Sequence, residues 1–117
     1  MKHRKKNKKL GRTTAHRKAT LYNLFTALIM NESIKTTESK AKALKKFADK
    51  MLSKAIKADL NIKRKFKSEL GSKEAYYKLF ETVVPQYKDR NGGYVRIIKD
   101  PLERRGDGSE MSIVQLV

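Results

Sequence analysis

Ser33-Ile34-Lys35-Thr36-Thr37 is the stretch on which the fold turns. It is short and rich in β-branched residues, and it lies between two segments of helical periodicity, so it reads as one brief strand. Two further strand-like runs stand far downstream, Tyr94–Lys99 and Met111–Val117. They are joined by a polar linker, Asp100–Glu110, and the simplest pairing for strands joined this way is antiparallel. Adding the early strand gives a small three-stranded sheet, expected to be mixed, packed with three to four helices on one face. The fold class is therefore α+β, as one domain over residues 15–117 with an extended basic arm over residues 1–14.

On the N-terminal side of that strand, Leu21, Leu24, Phe25, Leu28 and Ile29 follow the spacing of one helical face. Thr13 or Thr14 can cap this helix, and Asn31 is its expected stop. On the C-terminal side, Thr37 is placed to cap a second helix, with Glu38 favourable in its first turn. Ala41, Leu44, Ala48, Met51, Leu52, Ala55 and Ile56 form the longest apolar stripe in the chain, ending near Asp59. The outer face of that helix carries Lys40, Lys42, Lys45, Lys46, Lys50, Lys54 and Lys57 against Asp49. A lysine face of this kind is either simply solvated or part of a binding surface.

Residues 60–72 allow a short basic helix that Gly71 would break. Ser72 can cap another helix from Lys73 to about Val84, with Tyr76, Leu79, Phe80 and Val83 inward and Pro85 ending it. Asn91-Gly92-Gly93 then permits a tight reversal and a close backbone approach to another surface.

Charge points to the partner. The chain has 117 residues and a formal net charge of +17. Half of its first eighteen residues are Lys or Arg: Lys2, Arg4, Lys5, Lys6, Lys8, Lys9, Arg12, Arg17 and Lys18. The same stretch holds both histidines, His3 and His16, and no acid. Such a segment cannot bury enough apolar surface to offset its ordering entropy, so it is expected to be disordered when free. Twelve extended residues reach about 40 Å, far enough to enter a folded RNA. Arg17 and Lys18 fall in a first helical turn, which the helix dipole disfavours by a few tenths of a kcal/mol each, about what a binding role would justify. The rest of the chain is basic too, with 20 basic against 12 acidic residues. A dense cationic arm on a basic body suits a phosphate backbone.

Catalysis is disfavoured by inventory. There is no Cys, hence no thiolate nucleophile and no disulfide. His3 and His16 stand thirteen residues apart with no acid nearby, so neither a metal site nor any cofactor is expected. Asp107, between two glycines, reads as a turn residue bonding its own backbone. No run approaches the length of a membrane span and no signal-peptide core is present, so a cytoplasmic protein is expected. The arm lacks the apolar face of an interfacial membrane helix. Two binding readings remain, structural RNA binding and DNA binding or compaction. Under the RNA reading, the arm, the Gly92-Gly93 turn with Arg90, Tyr94 and Arg96, and the Arg104-Arg105 loop are the candidate contacts.

Four blocks of the chain resemble the L-seventeen family of bacterial large-subunit ribosomal proteins. They are Met1-Lys2-His3-Arg4-Lys5 with Lys9-Leu10 and His16-Arg17; Ile34-Lys35-Thr36-Thr37 with Lys40-Ala41-Lys42; Lys78-Leu79-Phe80 with Arg90-Asn91-Gly92-Gly93-Tyr94-Val95-Arg96-Ile97; and Arg104-Arg105-Gly106-Asp107 with the terminal strand. Each is weak alone, and four in order at matching spacing are specific. The chain departs from the family at position 2, Lys where Arg is frequent, and matches it poorly over 59–72. The resemblance implies binding to 23S ribosomal RNA near the rim of the peptide exit tunnel, beside neighbouring large-subunit proteins. It adds Lys35 and Lys40 to the candidate contacts.

Overall fold

The computed structural model describes residues 13–117. The arm as far as Arg12, with Lys2, His3, Arg4, Lys5, Lys6, Lys8, Lys9 and Arg12 among its candidate contacts, lies outside the described residues.

Helix α1 spans Thr14–Asn31 and starts where Thr13 accepts the His16 backbone N–H at 3.4 Å. It stops as expected after Asn31, where Glu32 adopts a left-handed conformation (φ 64°) and returns its N–H to the Leu28 carbonyl. A non-glycine residue here carries a strain cost of about 1 kcal/mol. Its surroundings hold it in place: the Glu32 carbonyl accepts the Leu116 N–H at 2.9 Å, and its carboxylate meets Lys78 at 3.6 Å.

Strand β1 is Ser33–Thr37, as its β-branched composition predicts. Helix α2, Glu38–Ile56, follows without a loop. Thr37 occupies the cap position, yet its side chain makes no capping bond. It is also a sheet residue, paired with Met111, and the Glu38 N–H is satisfied by the Glu110 carbonyl at 3.0 Å. The neighbouring chain thus does the work expected of the threonine. Asp59 does not end α2. It caps α3, Leu60–Leu70, by accepting the Ile62 N–H at 2.9 Å, and Gly71 closes that helix at φ 66°.

The fourth helical segment corrects an expectation. Ser72 caps α4, Lys73–Lys78, but Pro85 does not terminate the helix. The chain widens into a π-helical turn over Leu79–Val83, with the Val84 N–H bonding the Leu79 carbonyl, and continues as α5, Val84–Tyr87. Proline lacks a donor and crowds the carbonyl four residues back; the wider turn relieves both demands. The extension places Tyr87 in the core, where its hydroxyl donates to the Val117 carbonyl at 2.7 Å and fastens the C-terminus.

Strands β2, Val95–Lys99, and β3, Met111–Leu116, complete the sheet in the order β1-β3-β2. Both pairings are antiparallel, so the sheet is not mixed. Mixed pairing would require β1 to lie beside β2; instead the last strand inserts between them. Register puts Ile34, Val114 and Ile97 side by side, and the same face carries Ser112, Leu116 and Val95. This face packs on α2, where Ala41, Leu44, Ala48, Met51, Leu52 and Ala55 are buried as the apolar stripe predicts. Phe25, Leu28 and Ile29 of α1, Phe66 and Leu70 of α3, and Leu79 and Val83 of the π turn close the core. No helix among the described residues is long and apolar enough to cross a membrane.

Candidate nucleic-acid interface

The first two turns of α1, the outer face of α2 and the middle of β2 meet around one groove. Its volume is about 580 Å³. Leu21, Ala43, Phe47 and Ile97 give it an apolar floor, and Arg17, Lys42, Lys45, Lys46 and Lys50 border it with one acid, Asp49. Helical geometry explains the assembly. Residues 42, 46 and 50 recur every four positions and so stand above one another on one face of α2. Arg17 reaches the same place from α1.

Two of the five cations are neutralised locally. Lys42 meets Glu38 at 3.1 Å and Lys45 meets Asp49 at 3.3 Å, each one turn away along α2. Arg17, Lys46 and Lys50 have no ion-pair partner among the described residues. Such a concentration of unpaired cations costs folding energy through self-repulsion, which a polyanion relieves.

Asp49 has a second task. Its other oxygen accepts the Tyr94 backbone N–H at 3.1 Å. The candidate loop 90–94 is thereby tied to α2 at the end of the groove. Tyr94 itself is buried, with 3% of its surface exposed, and its hydroxyl donates to the Arg90 carbonyl at 3.0 Å. What Tyr94 does in this fold is brace the loop; Arg90 is the exposed member of the pair. Gly93 has φ 65°, which a residue with a side chain would adopt only under strain. Gly92 has no such need, and a Cβ there would meet no atom within 4 Å. Among the described residues nothing requires its bareness, and its backbone is exposed.

The other predicted residues divide by what already holds them. His16 and Lys18 are exposed in the first turn of α1, Lys18 with its ammonium 5.9 Å from the Tyr22 ring centre. Lys40 is half-buried near the start of α2 and does not line the groove. Lys35 on β1 is paired with Asp100 at 2.7 Å. Arg96 faces away from the helices and donates from Nε to Gln115 at 2.9 Å. Arg104 grips both oxygens of Asp107, whereas Arg105 beside it is exposed. The Arg104 guanidinium, followed by the Ser109 backbone N–H, holds the Asp107 carboxyl far below the usual aspartate range. Asp107 is a turn residue, as its glycine flanks indicate, and it is also the counter-ion of Arg104.

Sequence reading did not single out Lys42, Lys45, Lys46 or Lys50 as contacts. Their four-residue spacing was visible. That α1 would bring Arg17, Leu21 and an apolar floor to the same place was not, because helix packing is set by the far-apart residues of the core.

Fold and surface together define a small, strongly basic α+β domain that leaves cations unneutralised around one groove. The Ribosomal protein L17 family matches residues 20–117. The chain is 46% identical to the large ribosomal subunit protein bL17 of Campylobacter concisus, over all of this chain and 98% of that one. The same-named protein of Endomicrobium trichonymphae is 49% identical over 93% of this chain and 92% of its own. That of Acidobacterium capsulatum is 42% identical over all of this chain and 72% of its own. This chain belongs to the Ribosomal protein L17 family, and is a ribosomal protein rather than an enzyme.

Proposed function

We propose that this protein is a structural constituent of the large ribosomal subunit that binds 23S ribosomal RNA through phosphate and shape contacts, near the rim of the peptide exit tunnel and beside neighbouring ribosomal proteins. The carrying observation is the set of cations left unpaired around the α1–α2 groove in a member of this family. Arg17, Lys46 and Lys50 hold the body of the protein to phosphates; Lys18, His16, Arg90 and Arg105 extend the contact, and the basic residues from Lys2 to Arg12 reach beyond it. Phosphate contacts of this kind fix position without reading bases. A-form RNA is suited to recognition by shape and 2′-hydroxyls. The place near the tunnel rim is supported only by the four sequence blocks shared with the family. DNA compaction accounts for the charge equally well but not for the family.

Deleting residues 2–12 tests the reading. Binding to a 23S rRNA fragment at physiological salt is expected to weaken by about 100-fold or more, with a shallower salt dependence. The circular dichroism spectrum and thermal midpoint of the body should change little. Undiminished RNA binding would remove the arm from the interface. Equal affinity for duplex DNA and for the RNA fragment would put the DNA reading first.

A further inference from the structure

The groove has a feature that phosphate binding does not need. Phosphates are satisfied by a flat cationic surface, yet here the cations border a recess with an apolar floor. Ala43 is only half-buried in the second turn of α2, and Phe47, one turn on, is also half-buried. Phe47 is held on edge against Tyr22 and Phe25, with ring centres 5.0 and 6.0 Å away. Ile97 of β2 adds to the same floor. Among the described residues the recess is thus apolar and open, and its volume lies in the range of sites that take a small organic ligand.

We infer that this groove receives an unstacked nucleotide of single-stranded RNA, with the base on the Ala43–Phe47–Ile97 floor and the flanking phosphates on Arg17, Lys46 and Lys50. The inference rests on the RNA-binding reading and adds a base-dependent contact to it. Charge complementarity selects the occupant. An apolar peptide would leave three unpaired cations without partners, and a duplex would present phosphates but no base to the floor. A splayed single-stranded nucleotide supplies both an apolar face for the floor and flanking anions for the cations that border it. RNA loops and bulges offer such nucleotides, and base stacking on apolar or aromatic side chains tolerates any base.

The test uses the full chain and two probes of equal charge, an oligouridylate pentamer and the matching abasic ribose-phosphate pentamer. Wild-type protein is expected to bind the uridylate about tenfold more tightly, the size of one stacked base. Ala43→Leu, which fills the floor with a good helix former, should bring the ratio close to one. Equal binding of the two probes by the wild type, or an undiminished preference in Ala43→Leu, overturns the inference while leaving RNA binding intact. Failure of both probes and of a folded 23S fragment to bind overturns the RNA reading itself. A second measurement avoids mutation. A 4-thiouridine pentamer cross-linked to wild-type protein should mark residues 43–50 of α2 or Ile97 of β2, and cross-links found only elsewhere defeat the inference.

Discussion

The outer face of α2 and the loop from Asp100 to Glu110 are both rich in charge, and they use it in opposite ways. In the loop, acids claim most of the nearby cations, and Arg105 alone is left exposed and without an ion pair among the described residues. Lys35 pairs with Asp100, Arg104 pairs with Asp107, and Asp100 and Asp107 also accept the Leu102 and Ser109 N–H groups. These bonds shape a segment that has almost no buried side chains to order it. On α2, the buried stripe already specifies the helix, so its outer lysines are released from structural duty. Lys46 and Lys50 remain unpaired at the groove. A count of positive residues does not locate the proposed interface, which rests on the cations that no acid among the described residues has claimed.

The sharpest test of this contrast reverses charge in one region and removes it in the other. Lys46→Glu combined with Lys50→Glu should weaken binding to a 23S fragment by on the order of 100-fold, by loss of phosphate contacts and added repulsion. Both side chains are exposed, so stability should change by only about 0.5 kcal/mol. Arg104→Ala should weaken binding by no more than about threefold, because Asp107 already occupies that guanidinium. Filter binding of both variants decides the matter, and an equal loss in both would break the comparison.

A smaller effect is expected where groove and loop are joined. Asp49 holds Lys45 and the Tyr94 N–H together. Asp49→Ala leaves a half-buried backbone donor unpaired, and should cost about 1–2 kcal/mol of stability in urea unfolding. Asp49→Asn, which keeps an acceptor, should recover most of that loss. RNA binding by the asparagine variant should not fall, since the substitution removes an acid from the border of the groove.

The least effect is expected from acid. The Lys35 ammonium and then the Leu102 N–H hold the Asp100 carboxyl below its ordinary 3.8, and Asp107 is lowered more strongly by Arg104 and Ser109. A carboxyl whose folded value is depressed binds protons more readily when unfolded. Its stabilising contribution is complete above the ordinary value and is lost as pH falls through the depressed one. Amide protection at residues 104–109, taken relative to the intrinsic exchange rate at each pH, should therefore be constant from pH 7 to 5 and fall only below about pH 4. Loss of protection already near pH 6 would mean that these carboxylates do not hold the loop.

Much of this was legible in the residues. The apolar stripes of α1 and α2, the β-branched run of β1 and the glycine stop at Gly71 all declared themselves, because each is written in contiguous positions with a fixed period. Residues 60–70 were harder, since lysines crowd the pattern and only Phe66 and Leu70 are buried there. Pro85 misled for a physical reason. The penalty of proline applies to a regular α-turn, and a π turn evades it where a buried residue such as Tyr87 rewards continuing the helix.

By itself, the sequence determined the α+β class, the helices with their buried faces, the excess of positive charge and the resemblance of its four blocks to a ribosomal family. These depend on local periodicity and composition, which the chain carries with it wherever it is placed. Only the tertiary structure decided that the C-terminal strand lies between the other two, that Tyr94 braces its loop from inside, and that Arg17 joins Lys46 and Lys50 over an apolar floor. Each of these follows from contacts between residues tens of positions apart, such as Asp49 with Tyr94 and Tyr87 with Val117. Pairings of that kind are selected by the shape and register of the whole core, and no local period encodes them.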